Sequence, residues 1–123
     1  MWDANPDIWG SYAPVLFPAI GAFKNNECTI DGIPYKIPRH GFIRRNESIQ
    51  LKSSQQNELV FQLNYSDAIL KIYPYKFSFN ISFRLEKNQL IVSHRIENLD
   101  DNKIYFCLGG HPAFKCPLHE NEI

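Results

Sequence analysis

Apolar and polar residues alternate through much of this chain. Phe77, Phe79, Ile81, Phe83 and Leu85 are interleaved with Ser78, Asn80, Ser82, Arg84 and Glu86, a period of two held for nine residues. Side chains on a β-strand point alternately to opposite faces, so this spacing predicts a strand with one apolar and one polar face. A shorter run, Leu59, Phe61 and Leu63 with polar Gln62 and Asn64, repeats the pattern. After a turn at Lys87-Asn88, Leu90, Val92, His94 and Ile96 share one face, and Ile91, Ser93, Arg95 and Glu97 share the other. Lys103–Leu108 reads as a last strand that groups Ile104, Phe106 and Leu108. The set expected inside is Phe79, Ile81, Phe83, Leu90, Val92, Ile104, Phe106 and Leu108. Glu27–Ile30 and Ile33–Ile37 flank Asp31-Gly32, a strong hairpin signal because both turn residues tolerate positive φ. Residues 1–26 carry Pro6, Pro14, Pro18, Gly10 and Gly21 without a period, so they read as an irregular segment pinned by Trp2, Trp9 and Phe17 as packing residues. No helical periodicity is present. The expected fold is all-β, an antiparallel sandwich with one face of each strand buried.

Composition narrows the class. The chain has 123 residues, 44% of them hydrophobic, including nine Phe and six Tyr. That suits one globular domain burying roughly 60–70% of its surface. Thirteen basic residues balance thirteen acidic ones, leaving no net field to hold nucleic acid or an anionic membrane. No apolar run approaches the roughly 20 residues of a membrane span, and Met1-Trp2-Asp3-Ala4 is not the start of a signal peptide, so the expected location is the cytoplasm. Cys28, Cys107 and Cys116 are odd in number and form no CxxC pair, which favours free buried thiols over a disulfide framework or zinc site.

Two histidines stand beside glycines: His111 in Gly109-Gly110-His111-Pro112-Ala113-Phe114, and His40 in His40-Gly41-Phe42-Ile43-Arg44. Histidine exchanges protons near neutral pH, and glycine lets a backbone approach closely, so the pair suggests one site. Around them run Ala13-Pro14-Val15-Leu16-Phe17-Pro18-Ala19-Ile20-Gly21, then Asp31-Gly32-Ile33-Pro34-Tyr35, and Tyr73-Pro74-Tyr75-Lys76-Phe77 before the second histidine. These five motifs, in this order, resemble the aldose 1-epimerase (galactose mutarotase-like) family. The branch they resemble includes the lactose-operon X proteins and hexose-6-phosphate epimerases. Each motif alone is weak; their common order over nearly the whole chain is specific.

The resemblance implies a large β-sandwich (the galactose mutarotase-like supersandwich), of which residues 1–123 would be a partial domain lacking its first strands and its C-terminal part. It implies interconversion of the α and β anomers of a hexose or hexose phosphate by acid/base ring opening, with no cofactor or metal. His111 matches the family's general acid, and His40 matches the histidine that contacts the sugar near its ring oxygen. The family's general base is a glutamate far downstream, and nothing here matches it; Glu120 and Glu122 lie in an unpatterned tail. Ala22 departs from the arginine that often follows the Ile-Gly pair, and Arg44 or Arg45 would have to substitute in part. Arg44 is also the candidate for substrate binding through a phosphate, because a guanidinium can hold one bidentately, with a surface ion pair as the alternative. His94 reads as a buried or edge histidine, His119 as solvated, Tyr73, Tyr75 and Phe77 as core, and Lys76 as a solvated charge. A non-catalytic carbohydrate-binding module of the same fold, and an inactive truncated product, are the competing readings. The expected partner is a small sugar or sugar phosphate, and missing strands would leave open sheet edges that favour self-association.

Overall fold

The computed structural model describes residues 2–114. Its largest element is a four-stranded antiparallel meander of β4 (Gln50–Ser54), β5 (Glu58–Asn64), β6 (Phe77–Glu86) and β7 (Gln89–Asn98), in that spatial order. A hairpin of β2 (Glu27–Ile30) and β3 (Ile33–Lys36) precedes it. The tip of this hairpin is Asp31-Gly32, with φ of 49° and 81°, the left-handed pair that a two-residue turn requires. A third, two-residue ribbon joins β1 (Val15–Leu16) to β8 (Gly109–Gly110). Among the described residues no helix is long and apolar enough to cross a membrane.

The period-two pattern becomes the register of the meander. Leu63 pairs with Phe79, Phe61 with Ile81 and Leu59 with Phe83; Phe79 in turn faces Ile96, Ile81 faces His94, and Phe83 faces Val92. All of these side chains therefore project from one face. The opposite face is polar, built from Gln62, Ser78, Asn80, Ser82, Ser93 and Arg95. The segment from Val15 to Ile43 lies across one half of the apolar face, and there the core closes around Phe17, Phe42, Leu63, Tyr73, Phe77 and Phe79.

Phe17 is fully buried, with its ring 5.3–5.5 Å from the rings of Phe79, Phe77 and Phe106 and 5.9 Å from Tyr73. Tyr73 keeps its hydroxyl satisfied by donating to the Tyr105 carbonyl at 2.9 Å, as a buried phenol must. Burial, with Tyr75 beside it, pushes the Tyr73 phenol well above its ordinary pKa. Tyr75 and Phe77 are also buried, as expected, and Lys76 is exposed.

Several sequence expectations are corrected. Lys103–Leu108 is not a strand: its alternation is real, but its polar groups go elsewhere, with Cys107 N–H donating to the Pro18 carbonyl at 2.8 Å. Ile104 and Leu108 are half-buried, whereas Phe106 is 43% exposed. Phe79 and Ile81 are buried and Phe83 is half-buried, but Leu90 and Val92 are 51% and 43% exposed because none of the described residues covers their half of the face. A one-turn helix, α1 (Asp67–Leu70), interrupts the strands, with the Ser66 hydroxyl capping Ile69 N–H at 3.3 Å. Cys107 is exposed and Cys28 is half-buried, with burial raising the Cys28 thiol pKa. Cys116, His119, Glu120 and Glu122 lie outside the described residues.

Phe17→Ala should cost about 3–5 kcal/mol, the range for removing a fully buried aromatic ring, read as a fall in the urea midpoint. Gly41→Ala should be comparably disruptive, because a Cβ there would sit 1.8 Å from the Phe17 carbonyl oxygen at a φ of +72°. Gly21→Ala, where a Cβ meets nothing within 4 Å, should stay within about 0.5 kcal/mol of the parent.

Candidate functional site

His40 sits in a turn at one end of the core. Gly41 N–H donates to the Pro38 carbonyl at 2.8 Å, and His40 N–H donates to the Gly21 carbonyl at 2.9 Å. Phe42 N–H donates to the Phe17 carbonyl at 3.0 Å, which draws the His40 turn against β1. This approach is so close that only glycine fits at 41. His40 itself has φ +68°, a conformation costly for a non-glycine residue and often retained at functional positions. Its Nδ1 donates to the Ile20 carbonyl. A carbonyl can only accept, so the Nδ1 proton is fixed there, and Nε2 of the neutral ring is left as an acceptor.

His111 is placed by the ribbon. Val15 pairs with Gly110 and Leu16 with Gly109, and His111 N–H donates to the Pro14 carbonyl at 3.1 Å. A Cβ on Gly109 would lie 3.2 Å from the Ile20 side chain, a close contact that favours the absence of one. The His111 imidazole packs on the indole of Trp9, ring centroids 4.7 Å apart. Trp9 is itself tethered: its N–H donates to Asn5 at 2.8 Å, and its carbonyl accepts the Trp2 indole N–H at 2.9 Å.

Arg44 follows Ile43, whose buried side chain anchors the short 3-10 turn Ile43–Arg45 and so presents the two arginines outward. His40, His111 and Arg44 line one cleft of about 360 Å³, together with Trp9, Leu16 and Arg39. Arg44 and Arg45 also border a neighbouring depression with Tyr12. Among the described residues the cleft lining contains no carboxylate, and the close ion pairs are Arg84 with Glu86 and Arg95 with Glu97, neither of which lines it. The cleft is therefore cationic, bounded on one side by an aromatic plane. Among the described residues no group of three or more His, Cys, Asp or Glu is gathered as a metal site.

Arg39 and Trp9 were not singled out by sequence as site residues. Arg39 directly precedes His40, and that adjacency was the available signal. Trp9, read as packing, does pack, but on His111. Ala22 is exposed and does not line the cleft. His94 lies on the apolar face beneath Phe79, ring centroids 6.0 Å apart, and burial lowers its pKa.

The antiparallel strands belong to the galactose mutarotase-like fold class. The aldose 1-epimerase family pattern matches residues 1–123, and the chain belongs to that family. It is 33% identical over 129 residues to the chromosomal LacX protein of Lactococcus lactis subsp. lactis, covering 99% of this chain and 42% of LacX. Among solved structures it resembles a galactose mutarotase related enzyme from Lactobacillus acidophilus, with TM-score 0.92 and 37% identity over 100% of this chain and 41% of that one. A galactose mutarotase-like protein from Lactobacillus casei ATCC 334 gives TM-score 0.90 at 26% identity, over 98% and 40% of the two chains. The chain thus spans about two fifths of the length of these relatives.

The lowered His94 pKa has a stability consequence. The unfolded chain, with a histidine pKa near 6.5, binds more protons than the folded one in the interval below that value. Stability from neutral His94 is therefore present above about pH 6.5 and is lost as pH falls toward the folded-state pKa. Urea midpoints measured from pH 7.5 to pH 5 should fall, and His94→Phe should flatten that part of the dependence.

Proposed function

We propose that this chain carries the acid half of a mutarotase-like sugar site. The observation that supports it most is the convergence of His40, His111 and Arg44 on one cleft beside Trp9. Opening a pyranose requires a proton delivered to the ring oxygen while another leaves the C1 hydroxyl, and the two roles exchange when the ring recloses. His111 is the proton donor to the ring oxygen. His40, with Nδ1 occupied by the Ile20 carbonyl, orients the sugar by accepting a hydroxyl hydrogen at Nε2. Trp9 supplies a plane for the apolar C–H face of the ring and holds the acid in place.

Arg39 and Arg44 favour an anionic substituent, and a hexose 6-phosphate is the substrate class they suit. The base belongs to another part of the family domain, since among the described residues the cleft lining offers no carboxylate. That same lack favours the second reading, binding without turnover by these 123 residues alone.

The chain alone should relax fresh α-glucose, α-galactose and hexose 6-phosphate no faster than buffer in a polarimeter, since a positioned acid or base contributes about 10²–10⁴-fold and the described lining of the cleft offers no carboxylate as base. A longer polypeptide carrying the downstream part of the domain should turn over, and His111→Asn should abolish it. Fast relaxation by the 123-residue chain would sink the division of labour. Binding followed by tryptophan fluorescence should weaken about 10–100-fold for the phosphorylated sugar on Arg44→Ala, the loss of a charge-assisted contact. An equal loss for free hexose would leave Arg44 a structural residue.

A further inference from the structure

Two of the described histidines, His94 and His111, border one enclosed space. A cavity of about 210 Å³ lies between the meander and the β1–β8 ribbon. The meander contributes Ile81, Phe83, Val92 and His94 to its wall, and the ribbon side contributes Val15 and His111. Among the described residues the two imidazoles are the titratable groups on that wall, and no charged side chain lines it. On its other side His111 meets His40, Arg39 and Arg44 in the cleft. A ring placed between the cleft and the cavity can turn one nitrogen to each.

Register fixes His94 in its position. It pairs with Ile81 on β6 and stands on the apolar face, its ring centroid 6.0 Å from that of Phe79. The residue is half-buried, but its Nε2 is buried outright and has no hydrogen-bond partner among the described residues. An apolar side chain would fill this place without leaving a nitrogen to satisfy. Burial disfavours the charged ring and lowers its pKa, and a neutral imidazole has one donor and one acceptor nitrogen. A water's share of liquid volume is about 30 Å³, so the cavity of about 210 Å³ has room for one. Such a water needs at least two polar partners, and the two imidazoles supply them.

We infer that His94 is a positioning residue for His111. A water in the cavity accepts the N–H of the His111 nitrogen turned away from the cleft and donates to His94 Nε2, while the ring proton of His94 sits on Nδ1. The proton on the inner nitrogen of His111 is thereby kept in place, and the nitrogen facing the cleft is the one that gives up and regains the proton exchanged with the sugar. No covalent bond forms or breaks in this bridge; it sets which nitrogen of the acid is available. His40 is fixed by the same device, with the Ile20 carbonyl as acceptor. The functional consequence rests on the reading of His111 as proton donor, but the hydrogen bonds do not. The test is therefore made without sugar, and its outcome is separate from that of the turnover measurements.

The 123-residue chain is isotope-labelled at its imidazole nitrogens and followed by NMR at about pH 8.5, above the ordinary histidine range. His94 should carry its proton on Nδ1 with Nε2 bare, and His111 should hold one tautomer in excess. His94→Phe should shift the His111 tautomer ratio by roughly threefold to tenfold, the scale of one net hydrogen bond. His94→Gln, whose amide oxygen can accept the same bond, should restore it; a His94 that only fills space would move the ratio in neither variant. Because the substituted chains could fail to fold, cross-relaxation between cavity water and the ring protons of His94 and His111 is also measured in the unsubstituted chain, and is expected at both rings. A protonated His94 Nε2, a His111 ratio indifferent to His94→Phe, no recovery in His94→Gln, or no water signal at the two rings would each overturn the inference.

Discussion

Phe17 ties the structure together in two ways at once. Its ring fills the centre of the aromatic cluster, and its carbonyl accepts Phe42 N–H across a gap that only Gly41 leaves open. The first contact seats the irregular N-terminal segment on the sheet; the second fixes the turn that carries His40. Two residues earlier the same segment forms β1, whose partner β8 delivers His111. The positions of both histidines are thus slaved to the burial of one side chain, and the site is assembled by the core instead of being decorated onto it.

This dependence explains what was legible in the sequence. Strands β5, β6 and β7 could be read because each carries a complete apolar stripe, and the β2–β3 hairpin because Asp31-Gly32 encodes its turn. β4 was missed: Gln50, Lys52, Ser53 and Ser54 surround a single leucine, and the register slips between Leu51 and Ser53, so an edge strand leaves no clean period. α1 was missed for the opposite reason, since four residues are too short for a helical period and only the Ser66 cap betrays it. Lys103–Leu108 shows that alternation states which side chains face inward, not whether a neighbour is present to form a ladder. Leu90 and Val92 teach the same lesson about burial.

Three residues of the cleft lining were legible in the sequence, but not its full extent. His40, His111 and Arg44 come from motifs, and two of the motif glycines, Gly41 beside His40 and Gly109 two residues before His111, have a concrete cause in close approaches. Arg39 and Trp9 reach the same cleft through tertiary packing, which no local spacing encodes. Trp9 in particular depends on a tether of two hydrogen bonds within residues 2–9 that reads as featureless chain.

The three described histidines differ by environment, and that difference separates their roles. His40 has one nitrogen committed to a backbone carbonyl, which defines its tautomer and leaves a single direction for a ligand. His111 is exposed and packs against the Trp9 indole. His94 is half-buried on the apolar face, where desolvation disfavours its charged form and lowers its pKa. His94 and His111 border one apolar cavity, whereas Arg39 and Arg44 line the cleft that His111 shares with His40. His111 therefore meets an apolar environment on one side and a cationic one on the other, a division set by which elements pack against the β1–β8 ribbon.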